Sequence, residues 1–169
     1  MGAIITEANF KAKTAMNENV DWSLVEPYIV VAQEIGLRPI LGENLFDKIL
    51  EDFEASTLSG AYLTLYNKYI IQYIAFRGLV HVLPNLYIKM AKGNLFKMEG
   101  SERSAAIDQS DLNMFIQRNR ETSDNYAELM ITYICANSQN YPEYFTNTNG
   151  KVYPDTSNRM NRGLSLNMW

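Results

Sequence analysis

Few side chains in this sequence are of the types that carry chemistry. His81 is the only imidazole and Cys135 the only thiol among 169 residues. A lone histidine on an apolar stretch reads as a hydrogen-bonded core or boundary residue rather than a catalytic base. Cys135 stands in Tyr-Ile-Cys-Ala-Asn near a helix end. It reads as a buried, inert thiol, because a reactive one needs a positive, accessible surrounding. One cysteine cannot close an intramolecular disulfide, and one cysteine with one histidine makes no structural zinc set. Glu51, Asp52 and Glu54 form the densest carboxylate cluster. Such a cluster can do acid–base work or hold a divalent ion. With Ile49, Leu50 and Phe53 turned inward, however, the three read as a solvated face. Their position near a helix C-terminus opposes the helix dipole and hints at a partner's cations opposite. No phosphate loop, dinucleotide fingerprint, Ser-His-Asp set or His-Glu-x-x-His motif occurs. The expectation is a protein with no catalytic residues, no cofactor and no metal, and not an enzyme.

Lys89, Lys92, Lys97 and Arg103 give residues 89–103 a local positive balance beside Tyr87 and Phe96, tempered by Glu99 and Glu102. Basic and aromatic residues together can follow a nucleic-acid backbone. The net charge of −4 and pI near 5.0 favour an acidic protein surface as the partner instead.

The length and a hydrophobic content of 47% suit one well-buried core. The most apolar run, 62–83, is broken by Asn67, Lys68, Gln72, Arg77 and His81, which would lie unpaired in lipid. It reads as a central buried helix, and no membrane partner is expected. The opening Met-Gly-Ala-Ile-Ile-Thr-Glu has no basic n-region and no long apolar h-region, so no signal peptide is read.

The fold class expected is all-α: a single bundle of four to five helices over 19–136, with arms at 1–18 and 137–169. In the N-terminal arm Ile4, Ile5 and Phe10 supply apolar grip, and Thr6 caps a short helix to Lys13. Asp21 is an N-cap candidate for a helix over 22–35, with Val25, Tyr28, Ile29, Ala32 and Ile35 inward and Glu26, Gln33 and Glu34 outward. Pro27 either kinks that helix or delays its start. Gly36 is expected to stop it and Pro39 to stiffen a corner, leaving a partly exposed elbow at 37–42. A second helix follows over 43–55, carrying Leu45, Phe46, Ile49, Leu50 and Phe53 inward. After a turn at 56–60 a long helix runs over 61–83, and Pro84 ends or kinks it. Residues 93–110 form either a small hairpin, near 94–104, or an extended loop. A last long helix, capped by Ser110 or Asp111, turns Leu112, Phe115, Ile116, Tyr126, Leu129, Met130, Tyr133 and Ile134 inward. Its polar middle, 117–125, faces solvent or a partner. The final 33 residues are rich in asparagine, yet Tyr144, Phe145, Val152, Tyr153, Leu164, Leu166, Met168 and Trp169 are spread through them. Disordered tails are poor in aromatics, so this one reads as an extended arm that docks in pockets.

Residues 19–46 carry a resemblance. Asn19-Val20-Asp21, Pro27-Tyr28-Ile29, Ala32-Gln33-Glu34, Pro39-Ile40-Leu41-Gly42 and Leu45-Phe46 resemble the N-terminal part of head–tail connector (neck or adaptor) proteins of tailed bacteriophages, of the Bacteroides and crAss-like phage type. Lys92-Gly93-Asn94, Tyr126-Ala127-Glu128 and the closing Asn137 to Tyr141-Pro142 follow in similar order, so the likeness spans roughly 19–145. It implies an all-α subunit of a homo-oligomeric ring, a dodecamer matching the portal, located in the virion neck after synthesis in the host cytoplasm. Its implied partners are copies of itself, the portal protein, the next tail or neck protein, and genomic DNA passing through without sequence-specific binding. For assembly it directs attention to Ile4, Ile5 and Phe10, the corner Arg38-Pro39, Asn94, Leu95, Phe96, Lys97 and Arg103, and Tyr153, Leu164, Leu166 and Trp169. Two other classes remain open: a soluble helical adaptor or regulator that forms no ring, and a small helical enzyme or metal-binding bundle built on the acidic cluster.

Overall fold

The computed structural model describes residues 2–14, 16, 20–92, 109–146 and 152–154, with the backbone alone over 87–92. These residues form an all-α bundle, with no strand among them. Helix α1 (Glu7–Lys13) is capped by Thr6, whose hydroxyl oxygen accepts from the Asn9 N–H. Helix α2 (Trp22–Ala32) begins where Asp21 accepts from the Ser23 N–H at 2.9 Å, and it keeps Pro27 inside without a delayed start. The chain then passes through a π-helical turn (Gln33–Leu37) directly into α3 (Arg38–Leu41). Helix α4 (Glu43–Glu54) follows Gly42. Helix α5 (Gly60–Leu65), a second π turn (Tyr66–Ile70) and α6 (Ile71–Lys92) make one long rod. Helix α7 (Gln109–Ala136), a 3₁₀ turn (Ser138–Asn140) and short α8 (Pro142–Phe145) complete the order.

The helix does not stop at Gly36. It continues to Leu41, and the break comes at Gly42, whose φ of 72° is the left-handed conformation glycine takes without a Cβ clash. Gly36 is small for another reason: a Cβ there would lie 2.6 Å from the Tyr73 hydroxyl oxygen of α6. The π turn accounts for the proline as well. Pro39 would ordinarily strike the carbonyl four residues back, and the wider ladder of a π turn, Ile35 included, relieves that crowding. The turn also inserts one residue into the helical phase. Gln33 is buried and Ile35 is 63% exposed, the reverse of the outward and inward places expected.

Pro84 does not end the third long helix, which runs on to Lys92. Beside it, the Asn85 side chain donates to the His81 carbonyl at 2.8 Å, satisfying an acceptor next to the missing donor.

Helix α6 is the axis of the bundle. On one side it pairs antiparallel with α7: Tyr69 faces Tyr133 with ring centroids 5.0 Å apart, and seven residues further along, Phe76 stacks on Tyr126 at 6.0 Å. A seven-residue step on both helices is the spacing of two-helix seams. On the other side α2 crosses close over Gly78, where a Cβ would collide with the Ile29 side chain. The core runs from Val25 and Ile29 through Leu37, Leu41, Phe46 and Ile49 to Tyr73, Ile74, Met130 and Ile134. No helix among the described residues is long and apolar enough to cross a membrane.

Candidate assembly surface

The corner expected as an exposed elbow is a closed staple. Arg38 projects from the start of α3 with its side chain 16% exposed, and its Nε donates to Glu34 Oε2 at 2.8 Å. Its Nη1 donates to Asp47 Oδ1 at 3.0 Å and Glu43 Oε1 at 3.4 Å, and the guanidinium lies 4.2 Å over the Phe46 ring. Burial alone would lower the Arg38 pKa, but the Glu34 and Asp47 carboxylates outweigh it and hold the group more firmly charged. A planar fork serving three carboxylates and a ring ties the first π turn to α4. Pro39 is half-buried inside α3. The corner is thus engaged within its own chain, in place of the open elbow expected at 37–42.

The N-terminal residues also belong to the body. Ile4, Ile5 and Phe10 are 0%, 2% and 1% exposed in the main core, which corrects their assignment to an extended clasp. Buried Gln33 explains how they are held. Its Oε1 accepts from the Ile4 N–H at 2.9 Å and its Nε2 donates to the Gly2 carbonyl at 3.0 Å. Tyr66 donates to the Ile4 carbonyl at 2.8 Å. An amide side chain here pairs with backbone as a strand would, and burial costs nothing unpaired.

The C-terminal region divides. Tyr141 and Tyr144 are 0% and 1% exposed, and Tyr141 donates to the Ala61 carbonyl at 2.9 Å, so 137–146 packs into the body instead of forming a free arm. Further on, the Glu43 N–H donates to the Val152 carbonyl at 3.0 Å, and the Val152 N–H donates back to Glu43 Oε2 at 3.1 Å. This pins the chain at the start of α4 and leaves Tyr153 59% exposed. Leu164, Leu166 and Trp169 lie outside the described residues, as do Asn94, Leu95, Phe96, Lys97, Arg103 and the hairpin or loop expected near 94–104.

The structure adds a surface that sequence periodicity misassigned. Phe115 and Leu129, expected inward, are 42% and 54% exposed, and Met114 is 49% exposed. Phe115 and Leu129 are two heptads apart and so share one side of α7. Within the polar middle, by contrast, Asn119 and Ser123 are buried against α6. Next to them Leu83, Asp111, Leu112, Met114, Phe115 and Arg118 line a surface groove of about 390 Å³. The available signal was the seam itself: an antiparallel helix pair buries only a narrow a/d stripe, so apolar residues beside that stripe stay outside.

The residue types that could do chemistry are dispersed. His81 is half-buried, and its Nε2 has no hydrogen-bond partner among the described residues. Burial, then the Arg77 and Arg120 charges, lower its pKa below the ordinary 6.5. Cys135 is exposed, not buried as expected. Glu51 and Glu54 are exposed, while Asp52 pairs with Lys48 at 2.6 Å. Burial followed by the hydrogen bond to Glu143 pushes the Tyr62 phenol up to about 12, leaving it a neutral donor. Among the described residues no group of three or more His, Cys, Asp or Glu is arranged to hold a metal ion. The groove and the exposed apolar side of α7 are suited to holding another apolar surface.

No curated protein and no solved structure matches the chain. A family model matches from the end of the first π turn to just past the Val152 tether, and so takes in Arg38 with Glu43 and Asp47, the α6–α7 pair and the groove. Over residues 37–154, more than half of its length, the chain belongs to a family of unknown function, DUF6712.

Proposed function

We propose that the chain is a structural subunit of a phage head–tail connector ring, which docks below the portal, extends the DNA channel and joins the tail. The observation that supports this most directly is exposed apolar surface in separate places among the described residues. One is Met114, Phe115 and Leu129 along α7; another is Phe145, Val152 and Tyr153, near the start of α4. A subunit in a ring of identical copies meets one neighbour through one surface and the other through a second, so it needs two unlike patches. A two-fold dimer needs only one. The resemblance of residues 19–46 to connector proteins supports the same reading, and the ring it implies is a dodecamer. Net charge −4 suits a wall that DNA slides past, since phosphate-gripping proteins are basic.

Cryo-electron microscopy of virions tests this reading. The expected result is a ring of this chain between portal and tail. Absence of the chain from the neck would overturn it and leave the non-ring adaptor as the reading to pursue.

A further inference from the structure

The groove at the outer end of the α6–α7 pair is apolar in floor and walls, formed by Leu83, Leu112, Met114 and Phe115, with Asp111 and Arg118 at its rim. Fifteen residues, 155–169, follow the Val152 tether, and they read Asp-Thr-Ser-Asn-Arg-Met-Asn-Arg-Gly-Leu-Ser-Leu-Asn-Met-Trp. Leu164, Leu166 and Met168 alternate with Ser165 and Asn167, a period of two that puts three apolar side chains on one edge of an extended segment. Residues 164–168 span about 13 Å when extended. The groove's α7 wall, from Leu112 to Arg118, is about 9 Å long at the helical rise. The edge is therefore long enough to run the length of that wall and to overhang it by about one residue.

We propose that this groove takes residues 155–169 of a second copy of the chain, with Leu164, Leu166 and Met168 along its floor and Trp169 against Phe115. The proposal rests on the connector reading, for it names the contact between neighbours. Charge favours it: the segment holds Arg159 and Arg162 against Asp155, a net of +1, whereas the chain as a whole carries −4. Reach favours another copy over the same one. The tether lies beside α4 and α8, near the C-terminal end of α7, because Asn44 donates to the Thr146 carbonyl and Tyr62 to Glu143. The groove lies along the first turns of α7, and Phe115 and Ala136 are about 31 Å apart at the helical rise. From Pro154 to Leu164 the chain spans at most about 36 Å. Within one copy it would have to run nearly taut, whereas head-to-tail neighbours bring one copy's tether toward the next copy's groove.

The test uses the two tryptophans. In a Trp22→Phe variant, Trp169 is the sole tryptophan, and excitation at the red edge of the absorption band spares the tyrosines. The expected result is emission that shifts to the blue as protein concentration rises, with the shift lost on Phe115→Asp, an exposed position that folding tolerates. A blue shift independent of concentration would overturn the proposal in favour of the chain's own tail. Emission that stays red at every concentration, or a shift indifferent to Phe115→Asp, would overturn it in favour of another occupant such as residues 93–108. Should Trp22→Phe fail to fold, Met114→Cys with Leu166→Cys in a Cys135→Ala background reads the same contact as disulfide-linked oligomers under oxidation. Monomers alone would overturn it. These outcomes are separable from the connector reading: a chain found in the virion neck whose tail does not dock fails only this proposal, and concentration-dependent docking by a chain absent from the neck fails only the ring.

Discussion

The two halves of α7 are built on opposite plans. In the C-terminal half Ala127, Met130, Ile131 and Ile134 are buried against the core, with Tyr133 packed beside Tyr69 and Tyr141. In the N-terminal half the buried set is Leu112, Asn119 and Ser123, while Met114 and Phe115 are turned out. Polar groups inside and apolar groups outside reverse the usual economy of a soluble helix. Among the described residues the buried amide and hydroxyl bond along their own helix: Asn119 donates to the Phe115 carbonyl at 2.7 Å and Ser123 to the Arg120 carbonyl at 2.7 Å. One half therefore supplies core to the fold, and the other buries polar groups while leaving large apolar side chains exposed.

Truncation should expose that division most sharply. Ile134→Ala removes a fully buried side chain and is expected to cost about 2–5 kcal/mol, read from chemical unfolding. Phe115→Ala, a larger truncation in the other half, should leave the isolated chain within about 0.5 kcal/mol of wild type, because the ring is already wet. Equal costs at the two sites would mean that the outer half is as much core as the inner one, and the comparison would collapse.

Next in size is the staple that fixes the base of the bundle. Arg38→Ala leaves Glu34, Glu43 and Asp47 facing one another without their shared cation, and strips Phe46 of its cover. A loss of about 1–3 kcal/mol is expected. Arg38→Lys should recover only part of it, since an ammonium cannot serve three carboxylates and a ring from one plane. Full recovery by lysine would reduce the staple to a point charge.

How much of this was legible beforehand follows from the range of the forces involved. Local signals sufficed for the caps at Thr6 and Asp21, for the inward face of α4, and for the all-α class, because each depends on residues within a turn or two. Gly36 and Pro39 misled because a glycine and a proline close together signal a helix end locally. The actual reason Gly36 is small is the close approach of Tyr73, more than thirty residues away. Gln33 reads as outward because its partners, the backbone of Gly2 and Ile4, lie beyond any local window. Ile4, Ile5 and Phe10 were recognised as apolar anchors, but composition does not say whether an anchor enters its own core or a neighbour's. Phe115 and Leu129 fit a helical period and still point out, because periodicity fixes a face and not the width of the stripe that a partner helix covers.

A smaller effect should appear on acidification, again confined to the outer half. His81 sits between Arg77 on its own helix and Arg120 on α7, with Asp124 accepting from Arg77 at 3.5 Å. Its folded pKa is lowered, so the unfolded chain binds the proton more readily. The stability this neutral histidine secures is full above about pH 6.5 and is lost as the pH falls below that value toward the folded pKa. The thermal midpoint should accordingly fall on going from neutral to mildly acid buffer, and His81→Gln should flatten that slope. A wild-type midpoint no more pH-sensitive than that of the glutamine variant would show that the pair tolerates a third positive charge, and that the outer half is looser than its packing suggests.

The smallest expected effect tests whether the polar seam is passive. Ser123 is fully buried, and its hydroxyl donates to the Arg120 carbonyl of its own helix. Such back-bonding slightly weakens a helix. Ser123→Ala trades that hydrogen bond, worth about 0.5–1.5 kcal/mol net, against the better helix propensity of alanine, worth up to about 0.7 kcal/mol. The sum should fall within about 0.5 kcal/mol of zero, seen as an unchanged denaturant midpoint and an unchanged slope. Ser123→Leu should cost about 1–3 kcal/mol, because the close approach of α7 to α6 leaves no room for the added carbons. The pair of results is diagnostic. A serine replaceable by alanine and not by leucine is there because it is small, so the outer half keeps its helices close without a large apolar seam. A costly Ser123→Ala would instead make the hydroxyl a structural bond, and the two halves of α7 would then differ in the kind of cohesion they use rather than in its amount.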